Sequence, residues 1–147
     1  MFVPSVTPVS APHTTARPAP LRWRLVIETA TDATVPQARH WVHGLGASLG
    51  IDTDDAELLI TELLANVAEH ADGGPAWVTL AVTSGWLVLG VGDHCPHKPL
   101  ERRPFDGGAE GGRGLNIAYA LAARLYVDKR RAGTKRVVAR LPLGVAA

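Results

Sequence analysis

The sequence predicts an α+β fold, a two-layer sandwich in which a mixed, mainly antiparallel sheet carries its helices on one face. Three observations lead there. Apolar residues recur every second position over residues 21–28, the period of a half-buried strand. Two long segments that follow carry the three-to-four spacing of amphipathic helices. Two adjacent strand-like runs are separated by only two residues, a turn length that pairs strands antiparallel. The order β-α-α-β-β-loop-α-β-β then suits one sheet layer and one helix layer.

The chain has 147 residues, 46% hydrophobic and 20% charged, with a net charge of +1. That length suits a single domain with a real core. The near-neutral balance gives no whole-molecule attraction to nucleic acid or to an acidic membrane, so neither is expected as a direct partner. One cysteine, Cys95, excludes an internal disulfide. No basic-then-apolar leader opens the chain, and no apolar run approaches the roughly 20 residues that cross a bilayer. A reducing cytoplasm is the expected compartment.

Residues 1–20 contain five of the eleven prolines among Ser, Thr and Ala. They can bury little apolar surface and are expected to form a disordered tail, with the domain spanning 21–147. "LRWRLVIE" (21–28) alternates Leu21, Trp23, Leu25 and Ile27 against Arg22 and Arg24, a strand. "TVPQARHWVHGLGASLG" (34–50) sets Ala38, Val42, Leu45 and Leu49 on one helical face, with Pro36 near the start and Gly50 at the end. A second helix begins at Asp54, where Asp54 and Glu57 have capping-box spacing, and runs through Ala71 to "DGG".

"AWVTLAVT" (76–83) and "WLVLGVGD" (86–93) are strands joined by Ser84-Gly85. Residues 94–112, rich in Pro, Gly and charge, form a long loop, which inside a compact domain is usually functional. "RGLNIAYALAARL" (113–125) returns to helical spacing through Leu115, Ala118, Leu121 (or Ala122) and Leu125. "YVDK", the turn "RRAG" and "TKRVVARLPL" read as a closing hairpin. Its basic residues Lys129, Arg130, Arg131, Lys135, Arg136 and Arg140 read as a solvated face or a dock for an acidic protein. They lack the interleaved aromatics of a single-strand nucleic-acid platform.

Several residues carry chemistry. "ELLITELLANVAEHA" (57–71) places Glu62, Asn66 and His70 four residues apart, a narrow polar stripe between Leu58, Leu59, Leu63 and Val67. A Glu facing a cleft can take a proton from a hydroxyl. An Asn one turn away offers a hard oxygen ligand suited to Mg²⁺. Asp93, ending an apolar strand, can accept from an exocyclic amine or simply cap the turn that follows. "DGGAEGGRG" has five glycines in nine positions and leads into a helix, so its backbone N–H groups and Arg113 can cradle an anion. No Walker-type loop is present, and no strand precedes a G-x-G-x-x-G. His94, Cys95 and His97 in "DHCPH" could also suggest a metal, but one short cluster lacks the second knuckle of a structural zinc site.

Taken together, these segments resemble the histidine-kinase-like ATPase superfamily, whose ATP-binding sandwich is the Bergerat fold. Within it, they are most similar to the small bacterial serine/threonine kinases that act as anti-sigma factors. The resemblance covers residues 21–143: "TELLANVAEHA" matches the N box, "VGDHCPHKP" the first glycine box, "EGGRGLNIA" the second and "GTKRVVARLPL" the closing strand. It implies ATP and Mg²⁺ as cofactors, with Asn66 holding the metal and Glu62 as the general base for a Ser or Thr hydroxyl. Asp93 would bind the adenine amine, Gly112, Arg113, Gly114 and Leu115 would wrap the phosphates, and Thr134 would contact the water network beside the base. His70 would be structural.

The implied partners are a sigma factor or similar regulator and a small antagonist protein as phosphorylation substrate. Dimerisation, common in the family, is implied by the resemblance alone. The first glycine box departs from Asp-x-Gly-x-Gly, with Cys95 and His97 at the glycine positions, and side chains there would narrow the base pocket. The alternative function is a module of the same fold that captures a partner without phosphotransfer, with or without nucleotide.

Overall fold

The computed structural model describes residues 19–70, 74–95, 120–129 and 132–145. They form a five-stranded sheet and two helices: β1 (Leu21–Ile27), α1 (Thr34–Leu49), β2 (Ile51–Asp52), α2 (Asp54–His70), β3 (Ala76–Thr83), β4 (Trp86–Asp93), β5 (Arg124–Asp128), β6 (Lys135–Pro142) and β7 (Gly144–Val145). The sheet order is β1-β3-β4-β6-β5, and every pairing is antiparallel. The expected mainly antiparallel α+β layer is thus present.

Alternation along the strands decides which face is wet. In β4, Leu87, Leu89, Val91 and Asp93 are buried beneath the helices, while Trp86, Val88, Gly90 and Gly92 lie on the opposite face. The register continues the inward row across the sheet. Val78 and Leu80 of β3, and Val137, Ala139 and Leu141 of β6, join β4 in one core. Helix α2 supplies Leu59, Ile60, Leu63, Leu64 and Val67 to it, all 5% exposed or less. At roughly 1.5–3 kcal/mol per buried side chain of this size, that row holds α2 to the sheet.

Helix α1 buries Val35, Ala38, Val42 and Gly46, the spacing of one helical face. It ends in Gly50 at φ 66°, a left-handed conformation that glycine adopts without steric penalty, and the Gly50 N–H turns back to the carbonyls of Gly46 and Ala47. Pro36 falls in the first turn, where its missing N–H costs nothing. The hairpin between β3 and β4 turns at Gly85, φ 81°, as the Ser84-Gly85 pair predicts.

Three expectations are corrected. The cap of α2 is Thr53, whose carbonyl accepts the Glu57 N–H at 2.8 Å, so Asp54 is the first helical residue rather than the cap. Glu57 does not fold back onto backbone; its Oε2 accepts the Thr53 hydroxyl at 2.9 Å and lies 3.2 Å from His43 Nδ1, tying α1 to α2. The helix expected through Leu125 does not reach that far. Arg124–Asp128 is strand β5, because Leu125 pairs with Ala139 of β6 and packs on the core from there. The two-residue strands β2 and β7 pair with one another and were not anticipated.

Gly46 sits where α1 meets the chain entering α2. A Cβ there would overlap Thr53 Cγ2 and lie 2.8 Å from Thr53 Oγ1 and 3.0 Å from the Ile51 carbonyl oxygen. Replacing glycine by alanine inside a helix gains about 1 kcal/mol of propensity, whereas overpacking against a buried, stiff Thr and a backbone oxygen costs about 1–3 kcal/mol. Gly46→Ala is therefore expected to lower the stability by about 1 kcal/mol in urea unfolding. A stabilised variant would show that the α1–α2 junction has room to spread.

Candidate functional site

The site is built from the end of α2, the end of β4 and the start of β6. The connection from His70 to Ala76 is five residues long, and Ala76 pairs with Asp93. The C-terminal end of α2 and the C-terminal end of β4 therefore lie at the same edge of the sandwich. On the other side of β4, Asp93 pairs with Lys135, the first residue of β6, which Thr134 immediately precedes. The Gly74 carbonyl accepts the Ala30 N–H at 3.0 Å, fixing the chain that enters β3.

Glu62 and Asn66 are both half-buried on α2, one helical turn apart, or about 6 Å along the axis. They flank the buried stripe of Leu59, Leu63 and Val67. His70 is the last residue of the helix. Thr134 is buried, at 7% exposure. Gly112, Arg113, Gly114 and Leu115 lie outside the described residues, as does His97. A shallow cleft of about 520 Å³ lies on the neighbouring flank of α2, lined by Ala65, Ala68, Glu69 and Ala30 to Asp32. None of Glu62, Asn66, Asp93 or Thr134 lines it, so it is separate from this constellation.

Asp93 is the best-defined member. It faces inward, 2% exposed, and both carboxylate oxygens are engaged. Oδ1 accepts the Cys95 N–H at 2.7 Å, the turn-capping role open to any Asp at a strand end. Oδ2 lies 3.6 Å from Lys135 Nζ, and both side chains are nearly enclosed. A carboxylate offers about four lone-pair directions, so two such contacts still leave it able to accept from a ligand's N–H.

Lys135 is the residue that sequence reasoning missed; it was grouped with the solvated basic face, and it is only 4% exposed. The signal was available. In "TKRVVARL", Lys135 shares its parity with Val137, Ala139 and Leu141, so alternation alone points it into the core. The register, which sets it opposite an inward Asp, supplies a reason a cation can be there.

Of the "DHCPH" segment, His94 and Cys95 are sent to opposite sides of the sheet. Cys95 packs against the core, whereas the His94 ring meets the Trp77 ring edge-on, with centroids 5.2 Å apart, on the opposite face. Neighbouring side chains sent to opposite faces cannot converge on one ion. Among the described residues there is no group of three or more His, Cys, Asp and Glu side chains placed to hold a metal. No helix among them is long and apolar enough to cross a membrane.

A comparison with protein families matches the histidine kinase-like ATPase domain over residues 29–140, more than two thirds of the chain. Comparison with individually curated proteins gives no match.

A buried ion pair is held chiefly by the penalty for breaking it: removing one partner costs about 3–5 kcal/mol, while replacing both is often close to neutral. Lys135→Met is accordingly expected to destabilise the domain by about 3 kcal/mol, and Asp93→Asn combined with Lys135→Met to recover most of that loss. Urea unfolding of both single variants and the double variant measures the coupling. Additive effects would mean that the two side chains do not interact.

Proposed function

The chain belongs to the histidine kinase-like ATPase domain family, and from that premise we propose that it is an ATP-dependent serine/threonine protein kinase of the anti-sigma factor type. An ATPase domain carries ATP binding with it; the kinase reaction, its protein substrate and the sequestered regulator are the proposal. The observation that supports it most is Asp93. It is a buried carboxylate at the end of β4 with lone pairs to spare, beside Thr134 and at the same edge of the sandwich as Asn66.

In this reading Asp93 accepts the exocyclic N–H of adenine, held in position by the Cys95 N–H and by Lys135. Thr134, next to Lys135 along the chain, supports the water network beside the base. Gly112, Arg113, Gly114 and Leu115 enclose the phosphates. Asn66 would hold Mg²⁺ through its side-chain oxygen, a ligand type that this ion favours; the ion would neutralise phosphate charge.

Glu62 takes the proton from a substrate Ser or Thr hydroxyl. The hydroxyl oxygen forms its bond to the γ-phosphorus as the bond from that phosphorus to the β,γ-bridging oxygen breaks, and ADP departs with the electron pair. Catalysis of this kind rests on positioning and charge stabilisation, which a small domain can provide.

The regulatory logic follows from two competing protein partners. The domain would hold a sigma factor or similar regulator until a small antagonist protein displaces it, and phosphorylation would disable that antagonist. A second reading, partner capture without phosphotransfer, draws on the same pair of residues. Lys135 already occupies one side of the Asp93 carboxylate, and Cys95 stands where the family's first glycine box has glycine.

Calorimetric titration of ATP and ADP with and without Mg²⁺ separates the two. Micromolar, Mg²⁺-dependent binding, about −8 kcal/mol, is expected of the kinase. No binding at millimolar nucleotide would favour capture alone. Asn66→Ala is expected to remove the Mg²⁺-dependent part of the affinity, and unchanged affinity would remove Asn66 from the site. Glu62→Gln is expected to keep ATP affinity within about twofold and to lower phosphotransfer about 100-fold or more, the usual contribution of a general base. A fully active Glu62→Gln protein would reject that role.

A further inference from the structure

The face of the sheet turned away from α1 and α2 carries a pattern that the ATP site does not use. Antiparallel partners point to the same side, so the register lays out this face in rows. Arg22, Ala81, Val88, Arg140 and Arg124 form one row, and Arg24, Thr79, Gly90, Val138 and Tyr126 form the next. The third is Val26, Trp77, Gly92, Arg136 and Asp128. Within the strands this face holds five arginines and one carboxylate, Asp128, which pairs with Arg136 at 3.2 Å. An excess of four positive charges thus sits on one face of a chain whose net charge is +1.

The aromatic rings on this face hold the guanidinium groups in place. Arg24 lies over Trp77 at 5.3 Å, Arg124 over Tyr126 at 5.0 Å and Arg140 over Trp86 at 4.5 Å from the ring centroids. A stacked guanidinium keeps its N–H edge turned outward, pre-oriented for a bidentate carboxylate. The Trp77 ring also lies against Gly92, where any Cβ would overlap it, so neither ring face is left for a nucleic-acid base to stack on.

The charges also leave a gap. Arg22 and Arg24 stand on edge strand β1, and Arg140 and Arg124 on β6 and β5, with β3 and β4 between. At about 4.8 Å per strand, β1 and β6 are about 14 Å apart. The strip between them presents Ala81, Val88 and Thr79, which carry no charge; Gly90 lies beneath Thr79 and the stem of Arg136, whose guanidinium is paired with Asp128. A nucleic acid, with a phosphate on every nucleotide, would set charge over that strip without a partner. A second copy of the chain would bring arginines against arginines. Residues 1–20 contain no Asp or Glu and offer no complement either.

We infer that this face docks an acidic, extended protein segment carrying two clusters of carboxylates about four residues apart, with small or apolar residues between them. Arg22 and Arg24 take one cluster and Arg124 and Arg140 the other, while the segment's middle lies on Ala81 and Val88. The surface is independent of nucleotide and gives the protein a second place to hold a partner.

The test uses the whole chain and a synthetic peptide with two Glu-Glu pairs separated by four Ala or Ser residues, followed by the change in tryptophan fluorescence, with Trp23→Phe and Trp41→Phe leaving Trp77 and Trp86 as the emitters. The peptide is expected to bind about tenfold more tightly than a single-stranded oligonucleotide of equal charge, and to weaken about tenfold between about 50 mM and 300 mM salt. Replacing Arg22, Arg24 and Arg124 by Gln is expected to weaken it at least about tenfold while ATP binding stays unchanged. The Lys versions, which keep the charge and lose the fork, should stay several-fold weaker than the wild type. Absence of peptide binding overturns the inference, as does equal or tighter binding of the oligonucleotide or of anionic lipid vesicles. These wild-type comparisons hold even if a variant fails to fold; a folded Gln variant that binds as the wild type does also overturns it.

Discussion

The packing of α2 onto β4 and β6 is the contact on which the rest of the structure depends. Leu59, Leu63, Leu64 and Val67 on the helix meet Leu89 and Val91 of β4 and Val137 and Ala139 of β6, all buried. Interiors packed to crystal-like density allow little sliding, so this seam sets both the height and the rotation of the helix. With the rotation fixed, Glu62 and Asn66 fall at the margin of the buried stripe, half-buried and one turn apart. With the height fixed, the last turn of α2 stands at the end of the sheet where β4 finishes in Asp93. The candidate site is a consequence of core packing, and its residues contribute little to that core.

At the same end the inward row of the sheet changes character by a single step. Leu87, Leu89 and Val91 are matched by Leu141, Ala139 and Val137, and then Asp93 is matched by Lys135. Two charges at 3.6 Å, nearly enclosed, attract by about 4–5 kcal/mol at an effective dielectric near 20, and both lose hydration to be there. The balance holds only while both are present, so the pair commits the register of β4 against β6 as well as the orientation of the Asp93 carboxylate. A residue proposed to read adenine is thus fixed by the strand pairing next to it.

Much of this was legible in the sequence, and the divisions are physical. Helices α1 and α2 and the β3–β4 hairpin announce themselves because their apolar residues repeat over many positions and because Gly50 and Gly85 punctuate them. Strands β2 and β7 are two residues each and have no period to detect. The boundary at Arg124 was misplaced because Leu121 and Leu125 fit a helical spacing, while Leu125 and Val127 equally fit a strand; pairing with β6 decides between them. Glu62, Asn66 and Asp93 could be picked out by residue type in a motif. Lys135 is harder: alternation points it inward, but a lysine in a basic run looks solvated until its strand partner is known to be an inward carboxylate.

The same reasoning separates the two faces of the sheet. The inward candidates Glu62, Asn66 and Asp93 each stand in a short local motif, which is why the sequence exposes them, whereas Lys135 needs the register. The outward pattern comes from five strands spread over more than a hundred residues, and only the register sets Arg24 beside Trp77, or Arg140 beside Trp86. Gly90 and Gly92 show the coupling between the faces. They sit between inward Leu89, Val91 and Asp93, and their missing side chains leave the outer surface low enough for Thr79, Arg136 and the Trp77 ring to lie across it. A strand whose inward residues build a core and a buried carboxylate thereby also levels the outer face on which the arginines are displayed. One element thus shapes both surfaces, its odd-numbered residues building the inner one and its two glycines lowering the outer one.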